Sequence, residues 1–315
     1  MTRVSDVYPA DRVILREVGL RDGLQLVKSF PSTAAKQRWL RDEHGAGVRH
    51  FEVGSFLPGK SFPQFADVRD IVQTVGSLPG AHGIALVLNE RGVNEALASG
   101  VAEVATVVSA TEEHSRANAN RSREEAIANA KRLCELRDRS PHRPIVHAAI
   151  SMALGCSIAG PVDPQEVIRL VAKCLEAGVD AVGIADTVGY AGPKQVGELT
   201  KAAVRLAGSK PICVHLHDTR GMGIANASAA LDAGARILDG SLGGLGGCPF
   251  APGATGNVVF EDLVFLCESK GFATGIDIEK LVAVRAILRA EMPNEQLYGG
   301  LARAGLPCPT SAAAA

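Results

Sequence analysis

Along the chain, short apolar runs alternate with longer stretches whose apolar positions recur every three or four residues, at a nearly constant spacing. The short runs read as buried strands and the periodic stretches as amphipathic helices, so the chain is a succession of βα units. Eight runs qualify as strands: 13–19, 50–54, 83–88, 103–109, 145–152, 181–186, 212–218 and 236–242. The stretches between them carry helix punctuation. Ser32-Thr33 precedes a helix expected over 34–45, and Asp163-Pro164 precedes one over 165–177. Gly47, Gly100, Gly178 and Gly234 stand where these helices should close. Eight consecutive units predict a closed α/β (β/α)8 TIM barrel, and no Gly-x-Gly-x-x-Gly follows the first run to suggest a dinucleotide fold. The barrel is expected to be a single catalytic domain over 1–290. An extra C-terminal helical segment over 278–290 should cover the barrel's bottom or form subunit contacts, and 291–315 should be a mobile tail.

Composition narrows the function classes. A chain of 315 residues with 46% hydrophobic and 21% charged residues is ordinary for a soluble enzyme with a large core. The net charge is −1 and the basic residues are dispersed, so nucleic acid is not an expected partner. No apolar run reaches membrane-spanning length. The start, Met1 to Val7, lacks an apolar stretch of the signal-peptide kind, and a cytoplasmic location is expected. Seven cysteines without a Cys-x-x-Cys pair predict reduced thiols rather than a disulfide framework or zinc knuckle.

The chemistry-bearing residues gather at the carboxyl ends of the expected strands, the face at which barrel enzymes carry their active sites. His215 and His217 are two apart on one strand, so both side chains should point the same way and reach one ion. Arg21 and Asp22 follow the first strand, Glu52 lies in the second, and Asp186 with Thr187 ends the sixth. The glycine-rich segment 243–257 follows the eighth and delivers Cys248 and Asn257. Two imidazoles, a carboxylate and an amide oxygen form a mixed N/O set suited to a hard or borderline divalent ion with open positions.

The motifs Arg21-Asp22-Gly23-Leu24-Gln25, Ser55-Phe56, Ala153-Leu154-Gly155-Cys156, Asp186-Thr187-Val188-Gly189, His215-Leu216-His217-Asp218-Thr219 and Gly244-Leu245-Gly246-Gly247-Cys248-Pro249 together resemble the 3-hydroxy-3-methylglutaryl-CoA lyases. These belong to a metal-dependent TIM-barrel lyase and aldolase superfamily that also holds Claisen-type synthases. The resemblance runs from roughly Val13 to Leu281, and the late cysteine loop is of the lyase kind rather than the synthase Gly-Glu-Arg-Ala-Gly-Asn. Departures fall at Leu20, where proline is usual, at Leu26-Val27 for Asn-Glu, at Ser241-Leu242-Gly243-Gly244 for Ser-Val-Ala-Gly, and at His147, where arginine is frequent.

The resemblance implies cleavage of 3-hydroxy-3-methylglutaryl-CoA, or a close 3-hydroxyacyl-CoA analogue, to acetyl-CoA and a keto acid, acetoacetate. It implies Asp22, His215, His217 and Asn257 as ligands of Mg2+ or Mn2+, oriented by Asp218 or Asp186. Arg21, Cys248, Glu52 and His215 would be catalytic. Arg21, Gln25, Ser55, Asn89, Asp186 and Thr187 would bind the acyl-CoA substrate, with Lys28, Lys60 and Arg116 as candidates for the CoA phosphates. A homodimer is expected. A citramalyl-CoA or branched 3-hydroxyglutaryl-CoA lyase, and an acetyl-CoA/2-oxo acid synthase, are the alternatives. Arg21 as a structural salt bridge and Glu261 as a helix-dipole partner are the bland readings of those residues.

Overall fold

In the computed structural model, which describes residues 4–246 and 256–307, each apolar run forms one parallel strand. The strands are β1 (Ile14–Glu17), β2 (His50–Ser55), β3 (His82–Leu86), β4 (Glu103–Ser109), β5 (Ile145–Ser151), β6 (Ala181–Asp186), β7 (Ile212–Leu216) and β8 (Ile237–Gly240). They close in sequence order, with β8 pairing back onto β1 through Ile14↔Ile237 and Arg16↔Asp239. The fold is therefore the expected TIM barrel. The expected caps are present: the Ser32 side chain accepts from Ala35 N, and Asp163 from Gln165 N. Gly47, Gly100, Gly178 and Gly234 all have positive φ.

The period of two along a strand sorts the core. From β4 to β8, even-numbered residues such as Val104, Val146, Val182, Val214 and Leu238 pack outward into the main core shared with the helices. Odd-numbered ones, including Ala105, His147, Gly183, His215 and Asp239, line a cavity inside the barrel. Below that cavity, Ile145, Cys213 and Ile237 pack with Tyr8, Val4 and Val7, so the helix Val4–Val7 and the residue after it plug the amino end.

The structure departs from the sequence reading at the ends of β1 and β7 and in where the C-terminal helix packs. β1 stops at Glu17 because the Val18 carbonyl accepts from Arg21 N, Asp22 N and Gly23 N, winding Gly19–Gly23 into a π-type turn. β7 stops at Leu216, beyond which His217 donates its N–H to Asp186 O at the end of β6 and bridges to Asn257 on its other side. The helix Ile278–Glu291 lies against the helix Thr33–Gly45 rather than under the barrel, whose bottom is already filled. The described part of the expected tail is folded. Helix Gly300–Ala304 starts on the Asp262 carboxylate, which accepts from Gly300 N and Leu301 N, and Tyr298 N donates to Gly243 O. Residues 308–315 lie outside the described residues.

Candidate active site at the carboxyl end of the barrel

Two backbone devices bring the candidate ligands together. The turn after β1 displays Arg21 and Asp22 over the barrel mouth and is fastened by Glu17, whose Oε1 accepts from Gly19 N at 2.9 Å and from Leu242 N at 3.0 Å. That single oxygen ties the turn to the loop after β8. At the end of β7, Asp218 N donates to Gly256 O and Val258 N to Leu216 O, so residues 256–258 run beside the strand end and Asn257 arrives next to His217.

Asp22, His215 and His217 bring one donor atom each within 4.8 Å of one another. Asp22 Oδ2 is 3.5 Å from His217 Nε2 and 4.0 Å from His215 Nε2. Asn257 Nδ2 donates to the same oxygen at 2.8 Å and to Leu245 O at 3.1 Å. Among the described residues, Asn257 Oδ1 is buried without a partner. Two imidazole nitrogens, a carboxylate and an amide oxygen that lacks a donor fit a divalent cation, because each offers a lone pair and the groups crowd one point.

The electrostatics are consistent with that fit. Burial by itself would raise the Asp22 carboxyl, but Arg21, the hydrogen bond with His217 and the two imidazoles hold it well below the usual carboxylate range. Burial would lower His215, yet the hydrogen bond to Asp239 and the charges of Asp22 and Asp239 raise it on balance. Glu52 is pushed up by burial, which Arg21 offsets only in part. Arg21 reaches both carboxylates: Nη1 donates to Asp22 Oδ1 at 2.6 Å and to Gln25 Oε1 at 3.2 Å. Its Nε stands 2.7 Å from Glu52 Oε1, although the N–H does not point along that contact.

A cavity of about 220 Å3 opens beneath these groups. Arg21, Gln25, Glu52 and Thr187 line it with Asp22, His215 and His217. Three expected substrate residues do not. Asp186 is fully buried and accepts from Tyr190 N and Ala191 N, Ser55 donates to Leu86 O, and Asn89 caps the helix Glu90–Ser99 by accepting from Gly92 N. Asp218, weighed as an orienter of the imidazoles, accepts from Gly223 N instead. Arg116 pairs with Glu112. Glu261 is more than a dipole partner: it is buried, accepts from Gly243 N and pairs with Arg285 at 2.7 Å. Cys248 lies outside the described residues.

Sequence reasoning passed over Asp239, a carboxylate behind one of the two candidate ligand histidines, with Oδ2 3.1 Å from His215 Nδ1. It also passed over Arg16, which holds that carboxylate. The available signal was a charged side chain in the middle of each apolar run.

A closed parallel barrel with a cation-ligand set at its carboxyl end defines a metal-assisted barrel enzyme. Residues 12–288 match the HMGL-like family model, and the chain belongs to that family, which is dependent on a divalent metal. The hydroxymethylglutaryl-CoA lyase of Bacillus subtilis is 35% identical over 285 residues, 90% of this chain and 94% of that one. The 3-hydroxy-3-isohexenylglutaryl-CoA/hydroxymethylglutaryl-CoA lyase of Pseudomonas aeruginosa is 36% identical over 271 residues, 86% of this chain and 90% of its own. A solved HMG-CoA lyase from Acinetobacter baumannii, in complex with coenzyme A and 3-methylmalate, superimposes with a TM-score of 0.86 at 31% identity, covering 98% of this chain and 100% of that one.

Proposed function

We propose that this chain cleaves 3-hydroxy-3-methylglutaryl-CoA, or a close 3-hydroxyacyl-CoA, to acetyl-CoA and a keto acid, acetoacetate for the methylglutaryl substrate. The observation that carries the reading is the convergence of Asp22, His215, His217 and Asn257 beside Arg21 at the mouth of one cavity. Its relatives, lyases of this kind by name, support it. Mg2+ or Mn2+ suits the donor set better than a closed zinc site would. A bound cation would polarise the 3-hydroxyl and orient the distal carboxylate.

The chain's own residues do the rest. The hydroxyl loses its proton, the C2–C3 bond breaks, and the electron pair stays with C2 as the thioester enolate, which takes up a proton to become acetyl-CoA. Arg21 is a fixed cation on the cavity wall and holds the enolate oxygen, a charge that exists only as the bond breaks. Glu52, beside Arg21, is the local carboxylate suited to take the hydroxyl proton, and its raised carboxyl gives it proton affinity for the task. Cys248 is assigned to proton exchange with the enolate carbon. His215 commits Nδ1 to Asp239, so only Nε2 is free, and it serves as ligand in preference to base. Gln25 and Thr187 on the wall contact the acyl group.

The acyl group is the open variable. Ile84, Leu86 and Ala105 form an apolar wall with Leu88 and Val107, which supports a 3-alkyl substituent, methyl or longer, on that side. A panel of 3-hydroxyacyl-CoA esters, citramalyl-CoA included, incubated with Mg2+ or Mn2+ and scored by acetyl-CoA release, ranks the substituents. Free CoA formed from acetyl-CoA plus a 2-oxo acid would mark a synthase instead. We place the enzyme in the cytoplasm as a homodimer, which gel filtration with light scattering checks.

A further inference from the structure

Beneath the ligand set, the chemistry above leaves one buried cation inside the barrel unused. Arg16, on β1, is 6% exposed and lines the cavity. Its guanidinium grips Asp239 of the neighbouring β8 with both arms, Nε to Oδ1 at 2.6 Å and Nη2 to Oδ2 at 2.9 Å. The register of the sheet sets this up, since Arg16 and Asp239 are paired across β1 and β8. The same guanidinium donates to His147 Nδ1 of β5 at 2.9 Å and to Cys213 Sγ of β7 at 3.0 Å, and stands 3.6 Å from Glu103 of β4. Four strands thus hold one planar cation, which leaves it little freedom to turn.

What Asp239 does with its grip is the point. Oδ2 is 3.1 Å from His215 Nδ1, and an ionised carboxylate only accepts. Both arms of a permanently charged guanidinium on this one carboxylate favour its ionised form. His215 must then carry its proton on Nδ1 and present the bare Nε2 toward Asp22. Among the described residues, the other imidazole has no such guide: His217 Nδ1 is buried without a partner.

We infer that Arg16 and Asp239 are positioning residues for the cation site, acting in series: Arg16 fixes the Asp239 carboxylate, and Asp239 fixes the tautomer and ring orientation of His215. The inference rests on His215 being a cation ligand. A carboxylate behind a ligating imidazole commonly has this effect, and losing it typically weakens metal binding roughly 10–100-fold. Arg16 differs from a generic ion-pair partner in that both its arms are used on the one carboxylate, an arrangement lysine cannot reproduce.

The experiment uses the whole chain, stripped of metal. Titration with Mn2+ gives its affinity, and 15N spectra of histidine-labelled protein, with His215 assigned by its loss in His215→Gln, give the tautomer. Asp239→Asn should weaken Mn2+ roughly 10–100-fold and shift His215 from a pure Nδ1–H form to a mixture. Arg16→Lys should move both readouts the same way by less. Should the lone buried guanidinium keep Asp239→Asn from folding, the double variant Arg16→Met/Asp239→Asn removes both charges. Its Mn2+ affinity should match that of Asp239→Asn where the single variant is measurable, and otherwise fall in the same 10–100-fold range. Wild-type tautomer and affinity in the double variant would overturn the inference, and so would additive losses from the two single changes. An unchanged Mn2+ affinity in His215→Ala would instead remove the cation assignment itself, leaving the tautomer measurement to stand alone.

Discussion

Glu17 makes the sharpest structural prediction, because one of its oxygens supports two elements of the site. Glu17→Ala strips the acceptor from Gly19 N and Leu242 N, both in fully enclosed surroundings. Two buried N–H groups without partners cost about 1–3 kcal/mol each, or roughly 2–6 kcal/mol together. For 315 residues at about 2.1 cal/mol/K per residue, the unfolding entropy is roughly 0.66 kcal/mol/K, so Tm should fall by about 3–9 °C. Glu17→Gln keeps an acceptor in place and should lose far less. The pH dependence separates the two further. Burial raises the Glu17 carboxyl well above its usual value, against the pull of the Leu242 and Gly19 N–H groups. The folded state therefore holds a proton that the unfolded chain has released above about pH 4.5, so wild-type stability falls as pH rises through that window until the folded carboxyl ionises. Glutamine cannot ionise, so the Gln variant should show a flatter profile. Calorimetric melting at about pH 5 and about pH 9 reads both effects. A Gln variant as unstable as the Ala variant, or one with the wild-type pH slope, would refute the reasoning.

His217→Ala should abolish Mn2+ binding and turnover together, since it removes one of few ligands; retention of either would separate His217 from the cation. Arg21→Lys and Arg21→Met should lose most of kcat while substrate still binds, because the guanidinium meets charge that develops late; an unchanged kcat would leave Arg21 as the salt bridge seen with Asp22 and Glu52. Cys248→Ser should lower kcat at least about a hundredfold with little change in binding, and thiol reagents should reach Cys248 before the buried Cys134, Cys174 and Cys267. Near wild-type turnover of the Ser variant would move that proton to Glu52.

How much of this was legible in the sequence depended on whether a residue acts through its own strand or through a neighbour. The eight strands were legible because apolar runs and their period are local properties. Asp22, His215 and His217 were legible because two imidazoles spaced two apart on one strand, and a carboxylate at the end of another, share the barrel's carboxyl face. Asp239 was not: its meaning requires β8 to lie between β7 and β1, so that one carboxylate faces His215 and Arg16 at once. Asp186, Ser55 and Asn89 failed in the opposite sense. They are polar residues near strand ends, yet their side chains satisfy backbone groups within five residues or on the next strand, a use that sequence does not distinguish from ligand contact. The segment after 290 reads as a tail because its anchor, the Asp262 carboxylate, lies 38 and 39 residues upstream of the amides it holds.

The central claim is cation-dependent cleavage between C2 and C3 of a 3-hydroxyacyl-CoA. The most direct measurement strips the protein with a chelator, adds 3-hydroxy-3-methylglutaryl-CoA, and follows acetyl-CoA and acetoacetate with and without added Mg2+ or Mn2+. The account predicts no products from the stripped protein and equimolar acetyl-CoA and acetoacetate once the ion is restored. Full activity without metal, or no cleavage of this ester or any 3-hydroxyacyl-CoA relative with metal present, would contradict it.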